Sequence, residues 1–233
     1  FEGVPRVDAR IVPSRFDGAE DYALEVNSRG VVIRAGGDAG LFYARQTLDQ
    51  MTSDGTIKEL RCCTIEDGPR FPYRGLHVDV SRHFRSVDFL KKQMDAMALF
   101  KMNRMHLHLT DAAGWRVEID AYPRLAGFAA WRPQQTWKEW WKGDRKYVEM
   151  GSEGAYGGYY TKEDIAELVS YAAARHIELI PEIEMPSHSE EVLAAYPELG
   201  CTGEPYKDSD FCVGNEAVFT FLETVLTEVM EMF

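Results

Sequence analysis

Two runs rich in strand-forming residues, Tyr22-Ala-Leu-Glu-Val26 and Val31-Val-Ile-Arg-Ala35, flank the turn segment Asn27-Ser-Arg-Gly30 and predict a hairpin. Beyond Gly36-Gly37 the apolar positions Leu41, Ala44 and Leu48 recur at roughly helical spacing, which predicts a helix over Ala39–Met51. Residues 4–66 thus read as a small α+β unit. Asp67-Gly-Pro69 followed by Pro72 reads as a linker, placing a domain boundary at 69/70.

From Tyr73 the pattern changes to alternating strands and helices, the mark of a parallel α/β sheet or barrel. Gly75-Leu-His-Val-Asp-Val80 is the first strand, and Ser86 caps a helix whose buried stripe is Leu90, Met94, Met97 and Ala98. Met105-His-Leu-His-Leu109 is the second strand. The stretch Asp111–Tyr160, rich in Gly and Trp, is longer than an ordinary connection and reads as an elaborated functional loop. Thr161-Lys-Glu-Asp164 forms a capping box opening a helix with Ile165, Leu168, Val169 and Ala172 on one face. Ile177–Ile183 is the third strand. Asn215 caps a last helix with Val218, Phe221, Leu222, Val225, Leu226 and Val229 in register.

The chain has 233 residues and a formal net charge of −12, with 45% hydrophobic and 27% charged residues. The acidic balance excludes a basic nucleic-acid footprint, and no apolar run reaches the ~20 residues that a membrane helix needs. Phe1–Arg10 lacks the layout of a signal peptide, and both ends read as cuts through a longer chain. The four cysteines, Cys62, Cys63, Cys201 and Cys212, form neither a disulfide framework nor a CxxC metal site. Cys201 and Cys212 can be bridged in an oxidising compartment or stand as free thiols; spacing leaves both readings open.

In a (β/α)₈ barrel, functional side chains gather at the C-terminal ends of the strands. Those ends carry Ser81-Arg82-His83, Thr110-Asp111 and Glu184-Met-Pro-Ser-His188. An Arg fork can hold adjacent hydroxyls or a carboxylate, and an Asp beside a His orients the imidazole and favours its charge. Arg82, Asp111 and His188 therefore form the candidate site, against the plainer reading of three solvated loop residues. His106 and His108 share one strand face, so a metal-dependent hydrolase using them with Asp111 and His188 is a rival. Trp131, Trp137, Trp140 and Trp141 suit sugar stacking, but large aromatics equally anchor long loops by burial.

Tyr73-Arg-Gly-Leu-His-Val-Asp-Val-Ser-Arg-His-Phe84, His106-Leu-His-Leu-Thr-Asp111 with Gly114-Trp115, and Pro181-Glu-Ile-Glu-Met-Pro-Ser-His188 together resemble the glycoside hydrolase family 20 β-N-acetylhexosaminidases. Tyr159-Tyr-Thr-Lys-Glu-Asp-Ile165 and Tyr196-Pro-Glu-Leu199 fit the same resemblance. It implies an α/β fold: the end of a small α+β domain over 1–69, then residues 70–233 as the first part of a (β/α)₈ catalytic barrel, truncated before the fourth strand. It also implies a retaining exo-enzyme that removes terminal GlcNAc or GalNAc by substrate-assisted catalysis. Arg82 matches the arginine that holds sugar hydroxyls; Asp111 and His188 match the pair that tunes the general-acid Glu. The implied partner is an N-acetylhexosamine-terminated glycan, with no cofactor, metal, nucleic acid or membrane span, and the implied location is secreted, periplasmic or cell-surface.

The chain departs from the family pattern at Leu107, Ala112 and Ser187, where Trp, Asp and Gly are usual. The family's Gly-Gly-Asp-Glu string, which carries the acetamido-steering Asp and the acid Glu, does not occur in the chain. These 233 residues alone are accordingly expected to be inactive. The non-enzymatic alternative is a sugar-binding pseudoenzyme.

Overall fold

The structure is a computed structural model and describes residues 6–52 and 60–233. The expected start of the α+β unit at Val4 lies outside the described residues. The strands, in chain order, are β1 (Val7–Ile11), β2 (Tyr22–Asn27), β3 (Gly30–Ala35), β4 (Cys63–Asp67), β5 (Gly75–Asp79), β6 (Arg104–His108), β7 (Thr110–Asp111), β8 (Gly114–Trp115), β9 (Trp131–Arg132), β10 (Tyr156–Gly157) and β11 (Glu178–Glu182). The α-helices are α1 (Asp38–Met51), α2 (Val87–Leu99), α3 (Trp137–Lys142), α4 (Lys162–Ala173), α5 (Glu190–Ala195) and α6 (Glu216–Met232).

By packing, the chain divides into two compact units. The first takes Phe1–Gly75 with Gln93–Arg104 and Ala173–Ile177; the second takes Leu76–Lys92, Met105–Ala172 and Glu178–Phe233. In the first unit the sheet order is β1-β3-β2-β4. The expected hairpin is β2 against β3, antiparallel, with Asn27 opposite Gly30. Leu24, Val26, Val31, Ile33 and Ala35 pack under Tyr43 and Ala44 of α1. β1 pairs in parallel with β3.

In the second unit the sheet order is β11-β6-β5, and helices alternate with its strands. The sheet is open, a partial (β/α)₈ barrel. β6 shows why one face is chemical: Met105 and Leu107 are fully buried, while His106 and His108 alternate with them and face the other way. Leu90, Met94, Met97 and Ala98 of α2 are buried as expected. The capping box of α4 is reciprocal, with Asp164 N donating to Thr161 Oγ1 at 3.1 Å and Thr161 N to Asp164 Oδ2 at 3.0 Å.

On α6, Val218, Phe221, Val225 and Val229 are buried, but Leu226 is exposed. The burial stripe is thus narrower than the run of apolar residues. Asn215 Oδ1 accepts from Ala217 N at 3.0 Å, and its Nδ2 donates to the Glu198 carbonyl at 2.9 Å. Asn215→Ala should lower unfolding free energy by about 1–2 kcal/mol, since both the cap and the tether are lost. Denaturant unfolding within ~0.3 kcal/mol of the parent would refute the cap's role.

Candidate functional site

The long 111–160 connection is ordered by two small ladders and a short helix rather than being a simple loop. β7 and β8 form a tight antiparallel hairpin with Asp111 opposite Gly114, and Ala112-Ala113 make its turn. Each carbonyl of that hairpin from 111 to 114 is capped by a buried side chain. Ser81 Oγ donates to Asp111 O at 3.2 Å and to Gly114 O at 2.8 Å, Arg132 Nη1 donates to Ala113 O at 2.9 Å, and Tyr147 OH donates to Ala112 O. A hairpin whose acceptors are all satisfied has little reason to shift. It fixes Asp111 as though it were part of the sheet.

Arg116 is fully buried and donates to the carbonyls of Val80, Ser81, Ala113, Ala130 and Gly158. Burial lowers its pKa to about 10, so it stays charged at neutral pH. Gly114, at φ +156°, leaves room for this guanidinium; a Cβ there would lie 2.3 Å from its Nη2. Arg132 Nη2 donates to the Arg82 carbonyl at 2.9 Å and holds that residue's backbone.

The structure brings Arg82, Asp111 and His188 together on one atom. Asp111 Oδ2 lies 2.6 Å from Arg82 Nη2, 3.1 Å from His108 Nε2 and 3.2 Å from His188 Nδ1. Asp79 also grips Arg82, accepting from its Nη1 at 2.6 Å and its backbone N at 2.9 Å. His188 sits in the left-handed region at φ +54°, in the segment that follows β11. Three hydrogen bonds hold that segment: Glu184 N to Thr110 Oγ1 at 2.8 Å, Ser189 N to Ser209 O at 2.9 Å and Phe211 N to Pro186 O at 2.8 Å. Cys201 and Cys212 form a disulfide, which settles the reading that spacing left open.

A second carboxylate lies next along the same face. Glu182 Oε2 is 2.7 Å from His106 Nε2, 2.9 Å from His108 Nδ1 and 3.4 Å from His77 Nε2. The His108 contact is close but off the line of a directed hydrogen bond, so it acts as a charge contact. Burial alone would depress His108, yet Asp111 and Glu182 outweigh it and raise its pKa to about 9. Burial likewise works against the charge of Asp111 and Glu182; His108 with Arg82, and His108 with His77, hold the two carboxyls below their ordinary values. For Arg82, the Asp79 bond and the Asp111 charge overcome desolvation and raise its pKa. Ligand atoms of His77, His108 and Glu182 lie within 4.8 Å of one another, close enough for a divalent ion. A metal requires neutral imidazoles. His108 turns both ring nitrogens to carboxylates, Nε2 to Asp111 and Nδ1 to Glu182, the arrangement of an ionic network.

The linkage has a definite sign. The folded value of His108, about 9, lies above its ordinary 6.5, so its stabilisation is full below pH 6.5 and disappears as pH rises through about 9. Each pH unit between the folded and unfolded values is worth ~1.4 kcal/mol. Asp111 and Glu182 act oppositely, losing stabilisation as acid protonates them below 3.8 and 4.5. Denaturant unfolding at pH 6 and pH 9.5 should show an alkaline loss that His108→Gln flattens; equal slopes for parent and variant would contradict it.

Asp79 and Glu182 are site residues that sequence reasoning missed, and His108, read from the sequence only as a metal-ligand candidate, is found between two carboxylates. The signal was present as period two: His77 with Asp79, and His106 with His108, occupy alternate positions of strands whose other face is apolar. Of the tryptophans, Trp140 is buried in a cluster with Ala112 and Tyr147, whereas Trp137 and Trp141 stack on each other at the surface.

An open (β/α)₈-type sheet with an Arg–carboxylate–imidazole cluster at its strand ends has the layout in which barrel proteins gather their functional side chains. Residues 71–233 match the model of the glycosyl hydrolase family 20 catalytic domain, and residues 5–68 match that family's domain 2. The chain belongs to glycosyl hydrolase family 20. It is 38% identical over 230 residues to a beta-hexosaminidase of Porphyromonas gingivalis, an alignment covering 92% of this chain and 28% of that protein. A crystal structure of a beta-N-acetylhexosaminidase superposes with a TM-score of 0.84 at 35% identity, covering 99% of this chain and 48% of the other. The exo beta-N-acetylglucosaminidase of Vibrio harveyi, solved in complex with N-acetylglucosamine, gives 0.80 at 31% identity, covering 97% and 36%. The chain therefore spans less than half the length of these relatives. Among the described residues no helix is long and apolar enough to cross a membrane.

Proposed function

We propose that this chain supplies part of the active site of a retaining exo-β-N-acetylhexosaminidase that releases terminal GlcNAc or GalNAc from glycans. The observation that carries the reading is the convergence of Arg82 and His188 on Asp111 Oδ2 at the strand ends of a family 20 chain. Arg82, only partly covered, offers its guanidinium to sugar hydroxyls. Asp111 orients His188 through the 3.2 Å contact to Nδ1, and the pair tunes the acid that protonates the leaving oxygen. The 2-acetamido oxygen of the substrate is the internal nucleophile, so no cofactor enters. The small α+β domain runs through 69 and the barrel begins at 70. The Cys201–Cys212 disulfide supports a place outside the reducing cytosol.

A second reading, a sugar-binding pseudoenzyme, applies if the complete polypeptide lacks either acid of the family's Gly-Gly-Asp-Glu string. The two readings separate in an assay on an aryl β-N-acetylglucosaminide. The complete polypeptide should turn it over, while a chain of these 233 residues, verified by intact mass, should not, because an acid must lie within hydrogen-bond reach of the glycosidic oxygen. Sugar binding without turnover by the complete polypeptide would select the pseudoenzyme. Robust turnover by the 233-residue chain would overturn the assignment of the acid.

A further inference from the structure

Two carboxylate oxygens each collect three cation-forming groups, and one imidazole belongs to both sets. Asp111 Oδ2 takes Arg82, His188 and His108 Nε2; Glu182 Oε2 takes His77, His106 and His108 Nδ1. The partners of Asp111 differ in how dry they are. The side chains of Arg82 and His188 are 36% and 55% exposed, whereas those of His108 and Asp111 are 7% and 5% exposed. Exposed partners exchange with water and turn toward a ligand when one binds. A carboxylate held only by them would rotate about its last torsion, which is broad for Asp.

We infer that His108 is a positioning residue: clamped on its far side by Glu182, it fixes the Asp111 carboxylate in the orientation that His188 requires. The contacts form one line, Glu182 to His108 to Asp111 to His188, from the last residues of β11 and β6 to the segment that follows β11. Arg82 and His188 are then free to engage substrate without releasing Asp111. His108 needs no contact with the sugar, since it acts through Asp111. The other titratable groups around it are Asp79 on β5 and the two histidines His77 and His106, and none of them bridges both carboxylates.

This inference rests on the hydrolase reading, and the test keeps the two apart. In the complete polypeptide, His108→Gln and Glu182→Gln should each lower kcat on an aryl β-N-acetylglucosaminide by about 10- to 100-fold, a share of what acid–base groups contribute, with KM changed less than about 3-fold. In an Asp111→Asn background, His108→Gln should cost less than about 3-fold more, because its route to the chemistry is already gone. A kcat within 2-fold of the parent, or a full loss repeated in the Asp111→Asn background, would overturn the positioning role; a generally structural residue gives the latter, additive result. If His108→Gln does not fold by circular dichroism, Glu182→Gln carries the same comparison. If the parent polypeptide does not turn over the substrate, the hydrolase reading fails, and ¹⁵N NMR still judges the clamp. Both ring nitrogens of His108 should carry protons at pH 7.5 and shift on Asp111→Asn. A neutral His108 that ignores that substitution would overturn the clamp.

Discussion

Asp111→Asn is expected to reduce kcat of the complete polypeptide by about 10²–10⁴-fold, the range associated with acid–base catalysis, while KM changes far less. Asn preserves the shape and removes the charge. Arg82, His108 and His188 would then meet a neutral amide that offers one acceptor and adds two donors, so at least one donor must turn away. His188 would lose its 3.2 Å carboxylate partner, and the next carboxylate oxygen, Glu184 Oε1, is 4.0 Å from His188 Nδ1. Steady-state kinetics with pure Asn variant decide the matter; a loss below 10-fold would remove Asp111 from the reaction.

The largest effect on stability is expected from Arg116→Met, a cost of about 3–5 kcal/mol. Its guanidinium ties together carbonyls from four parts of the second unit, at 80–81, 113, 130 and 158. Methionine fills much of the volume but removes this donor from the buried carbonyls at 80–81, 130 and 158, and leaves Ala113, in the turn of the hairpin that carries Asp111, with Arg132 alone. Lysine does not rescue the site, because three donors on a flexible stem cannot match a planar fork of five. Chemical denaturation should give the loss directly. A change under about 1 kcal/mol would show that water or another donor takes over.

Periodicity foretold the elements whose burial follows from local pattern: the β2–β3 hairpin, the α2 stripe, both capping residues Thr161 and Asn215, and the open α/β sheet. It missed β1, whose apolar positions are interrupted by Asp8 and Arg10. Those charges are settled by contact with another strand, Arg34 Nη2 lying 3.0 Å from Asp8 Oδ2, and such pairing is not visible in one segment. It also missed α5, six residues long, whose Ser189 makes no side-chain cap bond. Leu226 was placed in the buried stripe of α6 because hydrophobicity alone does not say how wide the covered face is.

In the site, the strand-end residues Arg82, Asp111 and His188 were readable because position along a strand implies a common rim. Asp79 and Glu182 were not, since a polar residue at an alternate strand position usually means solvent, and His108 was legible only as a candidate metal ligand. Here those positions form an ionic cluster in which His108 is buried and Asp79 and Glu182 are partly exposed. The departures at Leu107 and Ala112 find a physical account as well: both are buried, the first on the apolar face of β6 and the second beside Trp140 and Tyr147.

The Cys201–Cys212 bond bears on how the protein is prepared. Cys212 N donates to Leu199 O at 3.0 Å, and the neighbouring Phe211 and Ser209 are the residues whose backbones bond to Pro186 and Ser189 on either side of His188. The covalent link thus closes a strap across the one imidazole of the cluster that sits in a left-handed, half-exposed turn. Material made in a reducing host is expected to lose that covalent closure and to hold the segment around His188 by hydrogen bonds alone. A preparation that passes through an oxidising compartment, or is reoxidised before assay, is the one in which His188 is presented as described above.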